Sequence, residues 1–575
     1  MRTWIRFSLA LIMAGSLAGI ATAQAQTADQ TQPQASNSTA APVTTVNEAI
    51  DRIIAREHDE IAVMRRYSPI VETYVQDMKA DPDMGIVPFR DHYYLGQASL
   101  SNGVVEDSML DKKKKSKTEE FNPLSHFGGS SGGSYVPEGF LQMIYVDTSA
   151  FDRQHYEFDY VGREFLGEVR CVVFDVRPLP KTGKGRFIGR VWAEDQGFAI
   201  VRFNGMFISS GEEMSGYNVH FDSWRMNLQP DLWLPAFVFS QDSDLKNSGN
   251  GVRFKAQTRL WGYDLSPVSR DAAFGQQTLD SPTPAGGSDT AQEGDRSPIE
   301  VEREWQQHAE ANVIDRLERI GLLAPRGEVD KVLETVINNL EVTNNLDIEP
   351  DIRCRVMLTG TLESFSIGHT IVVSRGLIDV LPDEASLATM LSQELASIII
   401  TKPSTDQWGF NDTTNVTTAE ALSRFSFKAT PAEVDMANKK ALDLLKHSPY
   451  QDKLGTAALF LKQLSADSQA LPALISARLG NGVQLSSALL ALGPPLQSDK
   501  LDQIAALPIG GRVKVDPWDD RVELLRAKPV AIHSAREKMP FEVTPFLPFL
   551  TRYHEPKKVG KQDSSALASK DTAHR

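Results

Sequence analysis

Three side chains in the stretch ATMLSQELASIIITK, Ala388 to Lys402, have the spacing of a metal-activated hydrolytic site. A helix bearing His-Glu-x-x-His holds zinc through two imidazoles one turn apart, and the Glu between them is the general base. Here Gln393 and Ser397 stand at the histidine positions and Glu394 at the position of the base. Residues four apart share a helix face, so Gln393 and Ser397 point the same way. An amide oxygen and a hydroxyl are poor zinc donors. Without zinc no water is activated near neutral pH, and Glu394 has no proton to take. The histidines His308, His369, His447 and His533 form no pair at helical metal spacing. Leu387, Met390, Leu391, Leu395, Ile398 and Ile399 give the stretch a broad apolar face, so it also reads as a core helix.

The elements around it must position these residues. A stripe of Trp305, Ala309, Val313, Leu317 and Ile320 predicts a helix ending near Gly321. A second helix is expected over roughly Val329 to Leu340, then a strand near Ile352 to Leu358. HTIVVSRGLIDVL, the helix with Gln393, and PAEVDMANKKALDLL follow. This order resembles the zinc metallopeptidase family of HtpX and the CaaX prenyl proteases, over about Ile299 to Leu445. That family has an edge strand ending in Ser/Thr-x-Gly-Leu, a helix with His-Glu-x-x-His, and a second helix whose Glu is the third zinc ligand. The resemblance sets Ser374, Gly376 and Leu377 at the strand end, Glu394 at the base, Glu433 at the third ligand and Asp435 behind it. The family's downstream His-Pro and Arg align with Asp516-Pro517 and Arg521, where the His is missing. Of the three ligand positions only Glu433 keeps a good donor, so no metal is expected at Gln393, Ser397 and Glu433. The strand Ile371, Val372, Val373 and Ser374 could still pair with an extended peptide, since strand addition uses backbone groups.

Upstream the pattern changes. HYEFDYVGREFLGEVRCVVFDVRPLP, GRFIGRVWAEDQGFAIVRFNGMFIS and LWLPAFVFSQ are rich in Val, Phe, Tyr and Ile and broken by Gly, Pro and Asn-Gly. Alternation shows in Arg190-Val191-Trp192-Ala193 and Val201-Arg202-Phe203. An antiparallel β domain is expected, with HFGGSSGGS as a loop. Gly-x-x-x-Leu-Gly, a strand ending at Pro178, and Gly-Arg-x-Trp resemble periplasmic lipoprotein-sorting (LolA-like) domains. The resemblance implies a curved sheet holding lipid or an acyl chain on an apolar concave face.

Thr45-Val46-Asn47-Glu48 is a capping-box pattern opening an amphipathic helix through Ile50, Ile53, Ile54, Ile61 and Met64. Ahead of it, MRTWIRFSLALIMAGSLAGIATAQAQ reads as a secretory signal, with Arg2 and Arg6 before an apolar run and small residues. Cleavage before Gln24 or Gln26 is expected, giving an exported, soluble protein of the periplasm or cell envelope. The net charge of −15 argues against a nucleic-acid partner, and Lys112 to Lys115 reads as a solvated loop. Cys171 and Cys354 are too few for a disulfide framework or a zinc cluster.

The sequence therefore predicts an α+β protein. Residues 1–25 form the signal, 26–44 a disordered leader, 45–265 a β-rich domain with its N-terminal helix, and 266–298 a flexible linker. Residues 299–550 form a mainly helical metallopeptidase-like domain, and 551–575 a disordered tail. A non-catalytic envelope binding or assembly factor is expected, without a cofactor. The alternative is an active zinc endopeptidase with atypical ligands.

Overall fold

The computed structural model describes residues 45–81, 85–100, 105–108, 135, 137–180, 182–183, 185–208, 219–242, 254–263, 298–400, 427–497, 503, 513–515, 522–524, 541–545 and 548–553. The secretory signal, the leader, Lys112 to Lys115, the HFGGSSGGS loop, residues 266–297, the Asp516-Pro517 and Arg521 positions and residues 554–575 lie outside them.

The architecture is α+β. Thr45 caps the first helix, α1 (Val46–Met64), its Oγ1 accepting from the Glu48 N–H at 3.2 Å. Ten strands then build one antiparallel sheet: β1 (Ile70–Asp81), β2 (Gly85–Ser99), β3 (Val105–Ser108), β4 (Tyr156–Leu166), β5 (Val169–Pro178), β6 (Phe187–Glu194), β7 (Ile200–Phe207), β8 (Val219–Gln229), β9 (Leu232–Asp242) and β10 (Phe254–Trp261). The chain runs β1 to β3 in one direction and crosses to the far edge at β4 by way of the short helix α2 (Pro137–Leu141). It then returns strand by strand until β10 pairs with β1, with Ile70 opposite Trp261.

The inner face of the sheet receives α1. Arg225 on β8 is completely buried and donates to Glu57 at 2.6 and 2.7 Å and to Glu60 at 3.1 Å, clamping the helix to the sheet. Burial pushes the Glu60 carboxyl up to about 7 even beside the Arg225 guanidinium. Further along this face Phe187, Phe203 and Phe221 meet edge to face or tilted, and Phe207 joins them half-buried. The Phe187 ring lies over the facing glycines Gly189 and Gly205, where a methyl on either would fall 2.8 Å from the ring. The acyl-binding expectation placed a ligand on this face; α1 covers it over β7 to β9.

The outer face of β1 and β8 to β10 carries the C-terminal region. That region begins with α3 (Pro298–Arg319) and α4 (Glu328–Thr343) and continues through β11 (Arg353–Met357), β12 (Glu363–Ile367) and β13 (Thr370–Ser374). Then come α5 (Arg375–Val380), α6 (Glu384–Ile400), α7 (Pro431–Lys446), α8 (Leu454–Asp467), α9 (Pro472–Ile475) and β14 (Asn481–Gly482). One continuous apolar core joins Tyr74, Trp224 and Trp261 of the large sheet to Leu317, Leu333, Val372 and Leu391. Polar ties cross the same seam: Trp261 Nε1 donates to Gly321 O at 2.9 Å, and Asp91 accepts from the Ala473 and Leu474 N–H groups at 2.8 Å each. Alternate residues of β1 thus face different layers, and the strand is buried on both sides over nine positions. Among the described residues the β-rich and helical parts share this core.

Residues 541–545 and 548–553 finish the packing. Gln76 on β1 donates to Phe541 O at 2.5 Å and accepts from Val543 N at 2.8 Å. Arg552 pairs with Glu194 at 2.8 Å, and Tyr553 N donates to Asn227 Oδ1 at 2.8 Å. The expected tail boundary at 551 is therefore displaced, since Thr551 to Tyr553 lie against the sheet. Cys171 and Cys354 are unbonded buried thiols on β5 and β11.

Candidate functional site

Within the C-terminal region, Ser374 ends β13 and caps α5, its Oγ accepting from Leu377 N at 3.2 Å. Gly376 follows because a Cβ there would sit 2.0 Å from Gly360 O. The Ser-x-Gly-Leu signature thus has a local packing cause. Ile371 to Ser374 are fully buried, and β13 pairs in parallel with β11 on one side and antiparallel with β12 on the other. The expected edge strand is an interior strand, so its backbone groups cannot receive a peptide. The outer side of β12 is taken by the chain itself, with Glu363 opposite Gly482 and Ser364 opposite Asn481. Glu363 holds that return segment by accepting from the N–H groups of Arg478, Leu479 and Gly480 at 2.9, 2.9 and 3.1 Å.

Glu394 on α6 turns toward this small sheet. It is 4% exposed and accepts from Ser364 Oγ at 2.7 Å. Burial pushes its carboxyl up to about 7, against the lowering effect of the Ser364 bond. Gln393 points elsewhere, donating to Asn438 Oδ1 at 3.0 Å and to Gln484 O at 3.3 Å. Ser397 is half-buried one turn later. Glu433 occupies the third position of α7, where its Oε2 accepts from Thr430 N at 2.7 Å and Thr430 Oγ1 at 2.8 Å. Those bonds hold its carboxyl below the usual range. The residue α7 presents to Gln393 is Asn438, and Asp435 is exposed. His369 lies at the other end of β13, its Nδ1 3.9 Å from Glu310, in a recess of about 360 Å³ with His308, Arg353 and Arg355. The motif positions are therefore engaged in three separate sets of contacts: a carboxyl bonded to β12, an amide bonded across to α7, and a helix cap.

A second site was not singled out from sequence. Among the described residues, part of the outer face of β4 to β7 forms an open recess of about 540 Å³. Ile188, Arg190 and Trp192 reach it from β6, Arg202 and Asn204 from β7, Asp175 and Arg177 from β5, and Asp159 from β4. Asp175 accepts from Arg190 Nε at 2.7 Å and Nη2 at 3.1 Å, and these bonds hold its carboxyl below the usual range. Arg177 pairs with Glu157 at 3.0 Å and Asp159 at 2.9 Å. Arg202 is bidentate to Asp222 at 2.8 and 2.9 Å and lies between the Trp192 and Trp224 rings, 4.4 and 4.5 Å from their centroids. His220 meets Asn204 Oδ1 at 2.7 Å. The signal was present in the alternation around Arg190 and Arg202, but which strands lie side by side, and in what register, is long-range information.

No family model matches the sequence, and no curated protein matches it. The metallopeptidase resemblance thus has no support beyond the motif positions. Among solved structures, 38% of the chain is similar to 93% of a LolA superfamily protein from Nitrosomonas europaea, at 11% identity and a TM-score of 0.21. The same share is similar to 91% of a domain described as an outer membrane lipoprotein-sorting protein from Vibrio parahaemolyticus, at 10% identity and a TM-score of 0.21. For the MucA/MucB complex of Pseudomonas aeruginosa the figures are 37% of this chain, 94% of that chain, 10% identity and a TM-score of 0.14.

Proposed function

We propose that the protein is an exported, non-catalytic binding factor of the cell envelope, with the large sheet as its binding element and the C-terminal region as its brace. Export rests on the charged start, apolar run and small residues of the first 26 positions. The observation that carries the binding reading is the direction of the polar groups. The peptidase-like residues are each engaged by other parts of the chain, Glu394 by Ser364, Gln393 by Asn438 and Glu433 by Thr430, while the sheet turns a recess of hydrogen-bonding groups to solvent. Two measurements on the mature protein test it. Neither stoichiometric zinc by metal analysis nor hydrolysis of casein is expected. One zinc per chain that is lost in Glu433→Ala, with casein cleavage, would establish the atypical endopeptidase instead.

An acyl chain on the inner face is the second reading, favoured by the Phe187, Phe203, Phe207 and Phe221 cluster. It requires α1 to shift. Saturable binding of a fluorescent fatty acid supports it, and a linear, non-saturating titration removes it.

A further inference from the structure

The recess over β4 to β7 has a chemistry of its own. Its carboxylates and guanidinium groups are matched across neighbouring strands, Asp175 with Arg190, Asp159 with Arg177, and Asp222 with Arg202. An ionic ligand would have to displace a partner already in place. An acyl chain would cover these groups without offering them hydrogen bonds, which is costly. A ligand that adds hydrogen bonds without bringing charge meets neither obstacle. The arginines are oriented for this: Arg177, Arg190 and Arg202 each engage their carboxylates through the Nε and Nη2 edge, leaving Nη1 out of those pairs. Asn204 adds an amide on the same face, and Ile188, partly exposed, supplies an apolar contact beside it.

We propose that this face binds a neutral polyhydroxylated ligand, a saccharide chain laid across β5 to β7. Planar carboxylate, guanidinium and amide groups suit the vicinal hydroxyls of a pyranose, and the ring's C–H face suits Ile188. All the groups sit on strands, so the site is pre-formed and loses little side-chain freedom on binding. The inference deepens the binding reading and is measured apart from zinc and proteolysis, so either can fail alone.

The test titrates the mature protein with soluble linear hexasaccharides of α-glucan, β-glucan, mannan and chitin types, followed by calorimetry and tryptophan fluorescence. A sulfated oligosaccharide and oleate serve as charged and acyl controls. At least one neutral hexasaccharide is expected to bind saturably, at roughly millimolar Kd or tighter. Arg190→Ala and Asn204→Ala should each weaken it by about tenfold. Arg153→Ala, on an exposed ion pair with Asp51 elsewhere, should leave it unchanged. Melting curves for each variant separate lost binding from lost fold, and Arg190→Lys, keeping charge without the planar fork, should bind weakly while melting normally. No neutral sugar bound at about 10 mM, binding of the sulfated sugar alone, or full affinity in folded Arg190→Ala would each overturn the proposal.

Discussion

Glu394 shows how a residue can keep a motif position while changing its work. Its folded pKa of about 7 lies above the ordinary 4.5, so the folded chain holds this proton more tightly than the unfolded chain does. That contribution is complete below the ordinary value and is lost as pH rises through about 7. Glu394→Gln keeps an acceptor for Ser364 and removes the charge. It should stabilise the protein at pH 8 by up to about 3 kcal/mol and change little at pH 5. Thermal melts at both pH values check this; equal stability changes at the two would show that Glu394 is not the titrating group. The helix and its apolar stripe were legible in the sequence, because spacing alone fixes which residues share a face. That Glu394 would turn to β12 and Gln393 to α7 was not, because both neighbours are set by distant chain.

At the level of elements, caps and turns were the most readable parts. Thr45 to Glu48 and the stop at Gly321, whose φ is +79°, follow from local chemistry. Thr430-Pro431-Ala432-Glu433 carries the same Thr-x-x-Glu pattern, and the structure uses Glu433 as that pattern dictates. Reading it as a zinc ligand passed over a local signal in favour of a distant one. The small sheet was misread because the short strand β12 was not recognised: β11 and β12 enclose β13, and β12 is in turn flanked by β14 from more than a hundred residues later. The α1 clamp was equally hidden, since Arg225 meets Glu57 across 168 positions. Arg225→Ala would leave the buried Glu57 carboxylate without its partner and Glu60 with Arg56 alone. It should destabilise the fold by on the order of 3–5 kcal/mol. Because the Glu60 pKa lies near 7, the loss should be larger at pH 8 than at pH 6. Denaturant unfolding at the two pH values, with limited proteolysis across α1, reads both effects.

For the whole molecule, the class α+β and the order of a β-rich part before a helical part were evident from the change of hydrophobic period. The shared core was not, because an apolar outer face looks the same in sequence whichever layer covers it. A chain ending at Leu265 would expose Trp261, Arg259 and Glu72, which are all buried in the intact protein. It is expected to aggregate or to lack near-ultraviolet circular dichroism, whereas an independently folding β domain would show dispersed amide resonances and a cooperative melt.

The contacts of Phe541 and Val543 with the large sheet have a consequence in time. Gln76 exchanges hydrogen bonds with Phe541 and Val543, 465 and 467 positions further along. Besides the local bond from Gln76 to Tyr74 Oη at 3.2 Å, the first strand of the sheet completes its amide contacts only with residues made near the end of the chain. Contacts of such sequence separation form slowly, since a very long loop must close before they contribute. Packing of the first strand against the end of the chain is therefore expected to be a late step of folding.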